Sequence, residues 1–197
     1  MKRKKRGNLQ STTNTLRIIG GHWRSRKIKF INVPNLRPTP ERVRETLFNW
    51  LQKAIINARC LDLFAGSGAL GLEALSRGAM EVVFIEKHRA AAQQLLQNLL
   101  LLKSSNRVIQ THAKDYLQKE SKEFDIIFLD PPFRQNYIPQ ILDIIQEKHL
   151  LAANGLIYLE QEAKQDYHWQ QWGLEPIKVT KAGQVKSYLL TTYIPHL

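Results

Sequence analysis

Apolar positions follow two different rhythms along the chain. Before residue 58 they are sparse and interleaved with cations. Leu16–Ile19 and Lys27–Phe30 alternate in the manner of two short strands around the turn Gly20–Arg26. Leu36-Arg-Pro-Thr-Pro40 reads as a connector, with Thr39 as N-cap and Pro40 at the first position of a helix running to about Gln52. Val43, Leu47, Trp50 and Leu51 share one face of that helix, and Arg42 and Arg44 are expected off it. From residue 58 strand and helix patterns alternate. Cys60–Phe64, Val82–Ile85, Arg107–Ile109, Asp125–Leu129 and Leu156–Leu159 read as buried parallel strands, with helices near 69–77, 88–103, 114–119 and 137–148. Gly78 fits a helix C-terminus. Glu175–Lys181 and Lys186–Tyr193, around Ala182-Gly-Gln184, read as a closing antiparallel hairpin. The leucine run Leu95–Leu102 is assigned to the core, and Trp169 and Trp172 to packing. The predicted fold is an α/β, doubly wound, mainly parallel sheet with a C-terminal antiparallel hairpin. A small basic β-hairpin extension precedes it. The expected division is a basic tail over 1–15, a hairpin and helix over 16–54, and the α/β domain over 55–197.

Charge sharpens this division. Residues 1–59 carry 15 Lys/Arg against two acids, Glu41 and Glu45, while residues 60–197 carry 14 against 15. The whole net charge of +12 therefore belongs to the first third of the chain. Arg17, Arg24, Arg26, Lys27 and Lys29 alternate with Ile18, Ile19, Trp23, Ile28 and Phe30, which describes an ordered cationic surface for a polyanion such as nucleic acid. Trp23 is open to two readings, stacking on a base or packing its own hairpin. A single cysteine, Cys60, within an apolar run, argues against a disulfide framework and for a reducing compartment. No apolar stretch approaches the ~18 residues of a membrane span, and the basic start has no hydrophobic segment behind it. The histidines form no metal-ligand spacing. A soluble, cytoplasmic, monomeric protein without a metal is expected.

Leu61-Asp-Leu-Phe-Ala-Gly-Ser-Gly-Ala-Leu-Gly71 follows the first parallel strand and opens a helix, with Gly66, Gly68 and Gly71 in the G-x-G-x-x-G spacing. Glycines let the backbone turn tightly and approach a ligand. Glu86, at the end of the next strand, is placed to accept both hydroxyls of a ribose. Asp62 ends the strand and Phe64-Ala65 precede the glycines, the arrangement of S-adenosylmethionine sites rather than nicotinamide sites.

Asp130-Pro131-Pro132-Phe133 directly follows the strand ending at Leu129, which puts it at the carboxyl edge of the sheet beside the glycine loop. The prolines fix the backbone there. The Asp130 carboxylate and the Pro131 carbonyl can then accept both protons of one exocyclic amine, aiming its lone pair at an incoming methyl group. Phe133 offers a face on which a base can stack. A nicotinamide oxidoreductase would leave this motif and the basic arm unexplained, and a non-catalytic nucleic-acid-binding factor would leave the motif without a task. An amino-methyltransferase of another base, such as adenine N6, remains an alternative.

Four stretches in order resemble the RsmD family of 16S ribosomal RNA guanine-N2 methyltransferases. They are Arg17-Ile-Ile-Gly-Gly-His-Trp-Arg-Ser-Arg-Lys27, Arg37-Pro-Thr-Pro-Glu-Arg-Val-Arg-Glu-Thr-Leu-Phe-Asn-Trp-Leu51, Asp62-Leu-Phe-Ala-Gly-Ser-Gly-Ala-Leu-Gly-Leu-Glu73 and Asp130-Pro-Pro-Phe133. The resemblance runs from about residue 16 to the C-terminus. It implies a Rossmann-like class I S-adenosylmethionine-dependent methyltransferase fold, with S-adenosylhomocysteine as product. It further implies a guanine acceptor in the 16S rRNA of the small ribosomal subunit or a late assembly intermediate. Cofactor contacts fall by that resemblance on Asp62, Phe64, Ala65, Gly66, Ser67, Gly68, Glu86, Lys87, His112, Ala113 and Asp130. The catalytic group falls on Asp130, Pro131, Pro132 and Phe133, and RNA contacts on Arg17, His22, Trp23, Arg24, Arg26, Lys27 and Arg37. Two positions depart from the family pattern: His112-Ala113 stands where Asp or Asn often precedes Ala, with Asp115 open to two readings, a substitute adenine contact or helix-cap and surface duty, and Ser25 stands where glycine is common.

Overall fold

Strands β1 (Thr13–Arg17) and β2 (Lys27–Ile31) pair antiparallel, with Leu16 opposite Ile28 and Arg17 opposite Lys27. The computed structural model describes residues 13–31, 38–133 and 136–193. Ile28 and Phe30 are buried and Lys27 and Lys29 exposed, so the alternation read in the sequence is the alternation of two faces. The first strand ends two residues before Ile19, where expectation had extended it. Ile18 turns aside to close the hairpin, donating its N–H to the Arg26 carbonyl and accepting from the Ser25 N–H.

Helix α1 spans Glu41–Trp50 and buries Leu47 and Phe48. Two expectations fail here. Pro40 rather than Thr39 occupies the N-cap, without a side-chain cap bond, because the Thr39 hydroxyl is turned toward Asp130 instead. Arg44, expected off the apolar face, is buried instead: it is 3% exposed and ion-paired to Glu73 at 3.3 Å.

The remaining elements form a seven-stranded sheet and its helices. In chain order they are β3 (Arg59–Asp62), α2 (Ala69–Ser76), β4 (Glu81–Ile85), α3 (Arg89–Leu101), β5 (Arg107–Ile109), α4 (Ala113–Lys119), β6 (Phe124–Leu129), α5 (Tyr137–Glu147), β7 (Leu151–Glu162), a 3-10 turn (Trp169–Trp172), β8 (Leu174–Ala182) and β9 (Val185–Thr192). The strand order is β5-β4-β3-β6-β7-β9-β8. The first five strands of the sheet are parallel, and β9 is antiparallel to both neighbours. Strand β7 is longer than the expected Leu156–Leu159, since Leu151–Gly155 lacks a clean apolar run to mark it.

Both sheet faces are covered, as central parallel strands require. On one face lie α4, α5 and the 3-10 turn, with Trp169 and Trp172 buried beside Tyr188. On the other, the N-terminal hairpin and α1 share a core with α2, α3, Ile126, Phe128, Tyr158 and Leu189. Leu95, Leu99 and Leu102 are buried there, but Leu96, Leu100 and Leu101 are 45%, 67% and 74% exposed, which corrects the reading of that whole run as core. A surface helix buries only the stripe repeating every three to four residues. Among the described residues no helix is long and apolar enough to cross a membrane.

Candidate active site

The chain builds β3, β4 and β5 outward in one direction, then crosses back to lay β6 and β7 on the other side of β3. That reversal opens a crevice at the carboxyl ends of β3 and β6, where open α/β sheets bind ligands. Asp62 and Asp130 stand at those two ends.

After β3, Leu63 donates its N–H to the Phe128 carbonyl and Ala65 to that of Ile85, so the loop is pinned between the two neighbouring strands. Gly66 and Gly68 have positive φ, and Gly68 starts α2 in the left-handed region. A Cβ on Gly71 would stand 2.2 Å from the Phe84 ring, so that glycine lets α2 lie against β4. Ala65, Ser67 and both loop glycines are buried, and half-buried Phe64 packs on Tyr137 with ring centres 5.8 Å apart.

Glu86 is tied to this loop. Its Oε2 accepts the Gly66 N–H at 2.8 Å and its Oε1 accepts the His88 N–H at 2.7 Å. Each oxygen keeps lone-pair capacity for another donor. Asp62 accepts the Gly71 N–H at 3.0 Å. Its burial pushes the pKa up to about 7; the Gly71 bond opposes this, and the Glu86 charge adds to it.

Asp130 is half-buried, with the Thr39 hydroxyl 3.4 Å from its Oδ2. Its carboxyl is held well above the usual range by desolvation and by the charges of Glu160 and Asp62. Glu160 is itself buried and raised by desolvation, while the Tyr158 hydroxyl donates to its Oε1 at 2.6 Å. Three carboxyls thus share one crevice floor, an arrangement that favours a bound cation. Beyond Asp130, Pro131 is buried, Pro132 half-buried and Phe133 42% exposed at the mouth of a cleft. Gln161, Gln165 and Tyr167 form the opposite wall.

Of the other anticipated cofactor residues, Ala113 is buried at the start of α4, whereas His112 and Lys87 are exposed. Asp115 is exposed in the first turn of α4. In the hairpin, His22, Arg24, Arg26 and Lys27 are exposed together. Arg17 is exposed but paired to Glu41 at 2.7 Å, and half-buried Trp23 packs on the hairpin-side core. Arg37 lies outside the described residues. Sequence reasoning missed Thr39, Tyr158, Glu160 and Gln161 as site residues. Glu160-Gln161 left one signal, a polar pair ending an apolar strand at the sheet's carboxyl edge.

The turn Gly20–Gly21 rests on the end of α2. His22 donates its N–H to the Ser76 carbonyl at 2.6 Å, the Trp23 N–H donates to Ser76 Oγ, and that hydroxyl donates to the Gly20 carbonyl. Glu73 accepts the N–H groups of Ile19 and Gly20, each at 2.8 Å. The cationic hairpin is therefore fixed to the helix that the glycine loop begins.

Comparison with known proteins agrees with this architecture. The family model described as Conserved hypothetical protein 95 matches residues 16–191. Ribosomal RNA small subunit methyltransferase D of Escherichia coli is 47% identical over 178 residues, covering 89% of each chain. The protein of the same description from Haemophilus influenzae is 47% identical over 152 residues, 75% of this chain and 79% of that one. A solved E. coli structure, provisionally described as a methyltransferase, superposes with a TM-score of 0.82 at 44% identity, over 91% of this chain and 99% of that chain. A Thermus thermophilus 16S rRNA N2 methyltransferase solved with AdoMet and guanosine shares the fold at 21% identity and a TM-score of 0.70, over 93% of this chain and 50% of that one. With a family match across most of its length and close relatives covering nearly all of it, the chain belongs to the RsmD family of small-subunit ribosomal RNA methyltransferases.

Proposed function

We propose that the protein transfers a methyl group from S-adenosylmethionine to the exocyclic N2 amine of a guanine in 16S rRNA, acting in the cytoplasm on the small ribosomal subunit. The observation that carries this reading is the meeting of the glycine loop and Asp130-Pro-Pro-Phe133 at one switch point, over a floor of buried carboxyls. When bound, S-adenosylmethionine supplies an electrophilic methyl on a sulfonium cation. The residues that would hold it are Asp62, Phe64 and Ala65 through Gly68, with Glu86 accepting the ribose hydroxyls and the Ala113 N–H meeting the adenine. The fit rests on the chemistry of the donor set: a cation relieves the mutual repulsion of Asp62, Asp130 and Glu160.

The acceptor guanine would stack on Phe133 and donate hydrogen bonds from its two N2–H groups to the Asp130 carboxylate and the Pro131 carbonyl. The nitrogen lone pair then points at the methyl carbon. The methyl group would pass to that nitrogen, the S–C bonding pair would leave with the neutral thioether, and the methylated amine would be cationic. Its surplus proton passes to Asp130, whose buried surroundings favour the protonated form. Positioning supplies most of the acceleration, since the leaving group is already activated. Exposed Arg24, Arg26 and Lys27 would grip RNA phosphates, a sequence-independent contribution to affinity.

The test is radiolabelled methyl transfer to unmodified small subunits, naked 16S rRNA and duplex DNA, run with wild type and Asp130→Ala. Label recovered as N2-methylguanosine from small-subunit rRNA, lost in the variant while the fold and much of the cofactor affinity remain, is the expected outcome. Label in DNA, or as methyladenosine, would overturn the substrate, and full activity of Asp130→Ala would overturn the mechanism.

A further inference from the structure

Among the described residues, one buried side-chain polar atom has no hydrogen-bond partner: Oε1 of Gln161. The residue is fully buried, and its Nε2 donates to the Gln165 carbonyl at 2.8 Å. A carbonyl can face only the amide nitrogen, so this bond fixes which way the amide points. The orphan is therefore an acceptor. Leaving an acceptor buried without a donor costs about 1–3 kcal/mol, so its retention calls for a donor that arrives from elsewhere.

The position names the donor. The last rung between β6 and β7 pairs Leu129 with Leu159, so Pro131, in the turn after β6, and Gln161, within β7, each lie two residues beyond it. Both line the same cleft, with Phe133 at its mouth. The enclosed volume is about 10 Å³, room for one water-sized polar group.

Next to the N2 amine of guanine, the Watson–Crick edge carries N1–H, a donor. Next to the exocyclic amines of adenine and cytosine, that edge carries an unprotonated ring nitrogen, an acceptor. An acceptor fixed beside the amine-holding turn thus distinguishes guanine from both. We propose that Gln161 is a specificity-determining residue, whose Oε1 accepts N1–H of the target guanine while Asp130 and Pro131 hold its N2 amine. This rests on the guanine-N2 reading above. Gln165 acts as a positioning residue, since its backbone carbonyl orients the Gln161 amide.

The experiment compares kcat/KM for reconstituted small subunits carrying either guanine or 2-aminopurine at the methylated position, mapped first with wild-type enzyme. 2-Aminopurine keeps the amine but has an acceptor at N1. Wild type should favour guanine by about 10- to 100-fold, the usual worth of one base-edge contact. Gln161→Met, similar in length and without the acceptor, should lose most of that ratio by slowing on guanine, whereas Gln161→Glu, which keeps an acceptor oxygen, should retain a preference for guanine. Cofactor affinity and melting temperature of each variant identify any that fail to fold. A wild-type preference below about threefold would overturn the proposal without needing any variant, as would a folded Gln161→Met that discriminates like wild type. Absence of wild-type transfer to guanine would instead strike the underlying function.

Discussion

Glu73 is the residue whose loss should cost this fold most. Its carboxylate is wholly buried in α2 and takes four donors on two oxygens. Oε1 accepts the Gly20 N–H and Arg77 Nε, at 2.8 and 2.7 Å; Oε2 accepts the Ile19 N–H and Arg44 Nη1, at 2.8 and 3.3 Å. Glu73→Leu leaves the Arg44 guanidinium, only 4% exposed, without its counter-charge, and two hairpin N–H groups without an acceptor. Breaking one side of a buried ion pair costs roughly 3–5 kcal/mol. For a domain of this size each kcal/mol lowers Tm by about 2–4 °C, so a fall on the order of 6–20 °C is expected. Urea unfolding at constant m-value gives the free energy directly. A second variant separates charge from packing: Glu73→Leu combined with Arg44→Met removes the stranded cation and should be more stable than Glu73→Leu alone. Arg77→Met, whose side chain is 22% exposed, should cost less than Glu73→Leu. A Tm shift below about 2 °C for Glu73→Leu, or a double variant no better than that single change, would refute this account.

On the proposed reading, Asp62 should make cofactor affinity depend on pH. Its folded-state pKa of about 7 lies above the unfolded value, so the proton it binds favours folding at low pH, and that contribution disappears as pH rises through about 7. If the ionised Asp62 carboxylate holds the cationic cofactor, as proposed above, affinity for S-adenosylmethionine should weaken by up to about tenfold per pH unit below 7. Calorimetric titration of Asp62→Asn should give weaker binding with a shallower pH profile, since Asp130 and Glu160 still titrate; an unchanged slope would exclude Asp62 as a titrating partner. Gly21→Ala should destabilise by roughly 2–4 kcal/mol, because φ is +74° and the new Cβ would stand 1.8 Å from the Ser76 carbonyl oxygen. Gly183→Ala has positive φ but nothing within 4 Å, so it should cost only about 1 kcal/mol, and equal effects in a melting comparison would contradict the contact. Replacing Arg24 and Arg26 by alanine should weaken RNA binding and reduce its log–log salt dependence by about 0.7–0.9 per lost phosphate contact. Cofactor affinity should stay constant in that variant; an unchanged salt slope would remove the hairpin from the RNA interface.

What the sequence disclosed and what it concealed divide by distance along the chain. The glycine loop and Asp130-Pro-Pro-Phe133 were legible because each is a strand end plus its following turn, and the strand periodicity alone places both at the carboxyl edge. Arg44 was misread for the opposite reason: periodicity gives a face, and only the tertiary partner shows whether a cation on that face meets water or a carboxylate 29 residues away. Thr39 had a good local role as N-cap, which it gave up for Asp130, 91 residues away. Glycine at 20 and 21 looked like the tip of an RNA-gripping turn, yet the structure shows a second demand on both: a Cβ on Gly20 would strike the Arg77 guanidinium, and one on Gly21 the end of α2. Three stretches that the sequence presents as separate motifs, Arg17–Lys27, Arg37–Leu51 and Asp62–Glu73, thus meet at one carboxylate. The hairpin's charges face solvent while its backbone is anchored to α2. A basic extension built this way shares a core with α1, α2 and α3, and its backbone is fixed to the helix that the glycine loop begins.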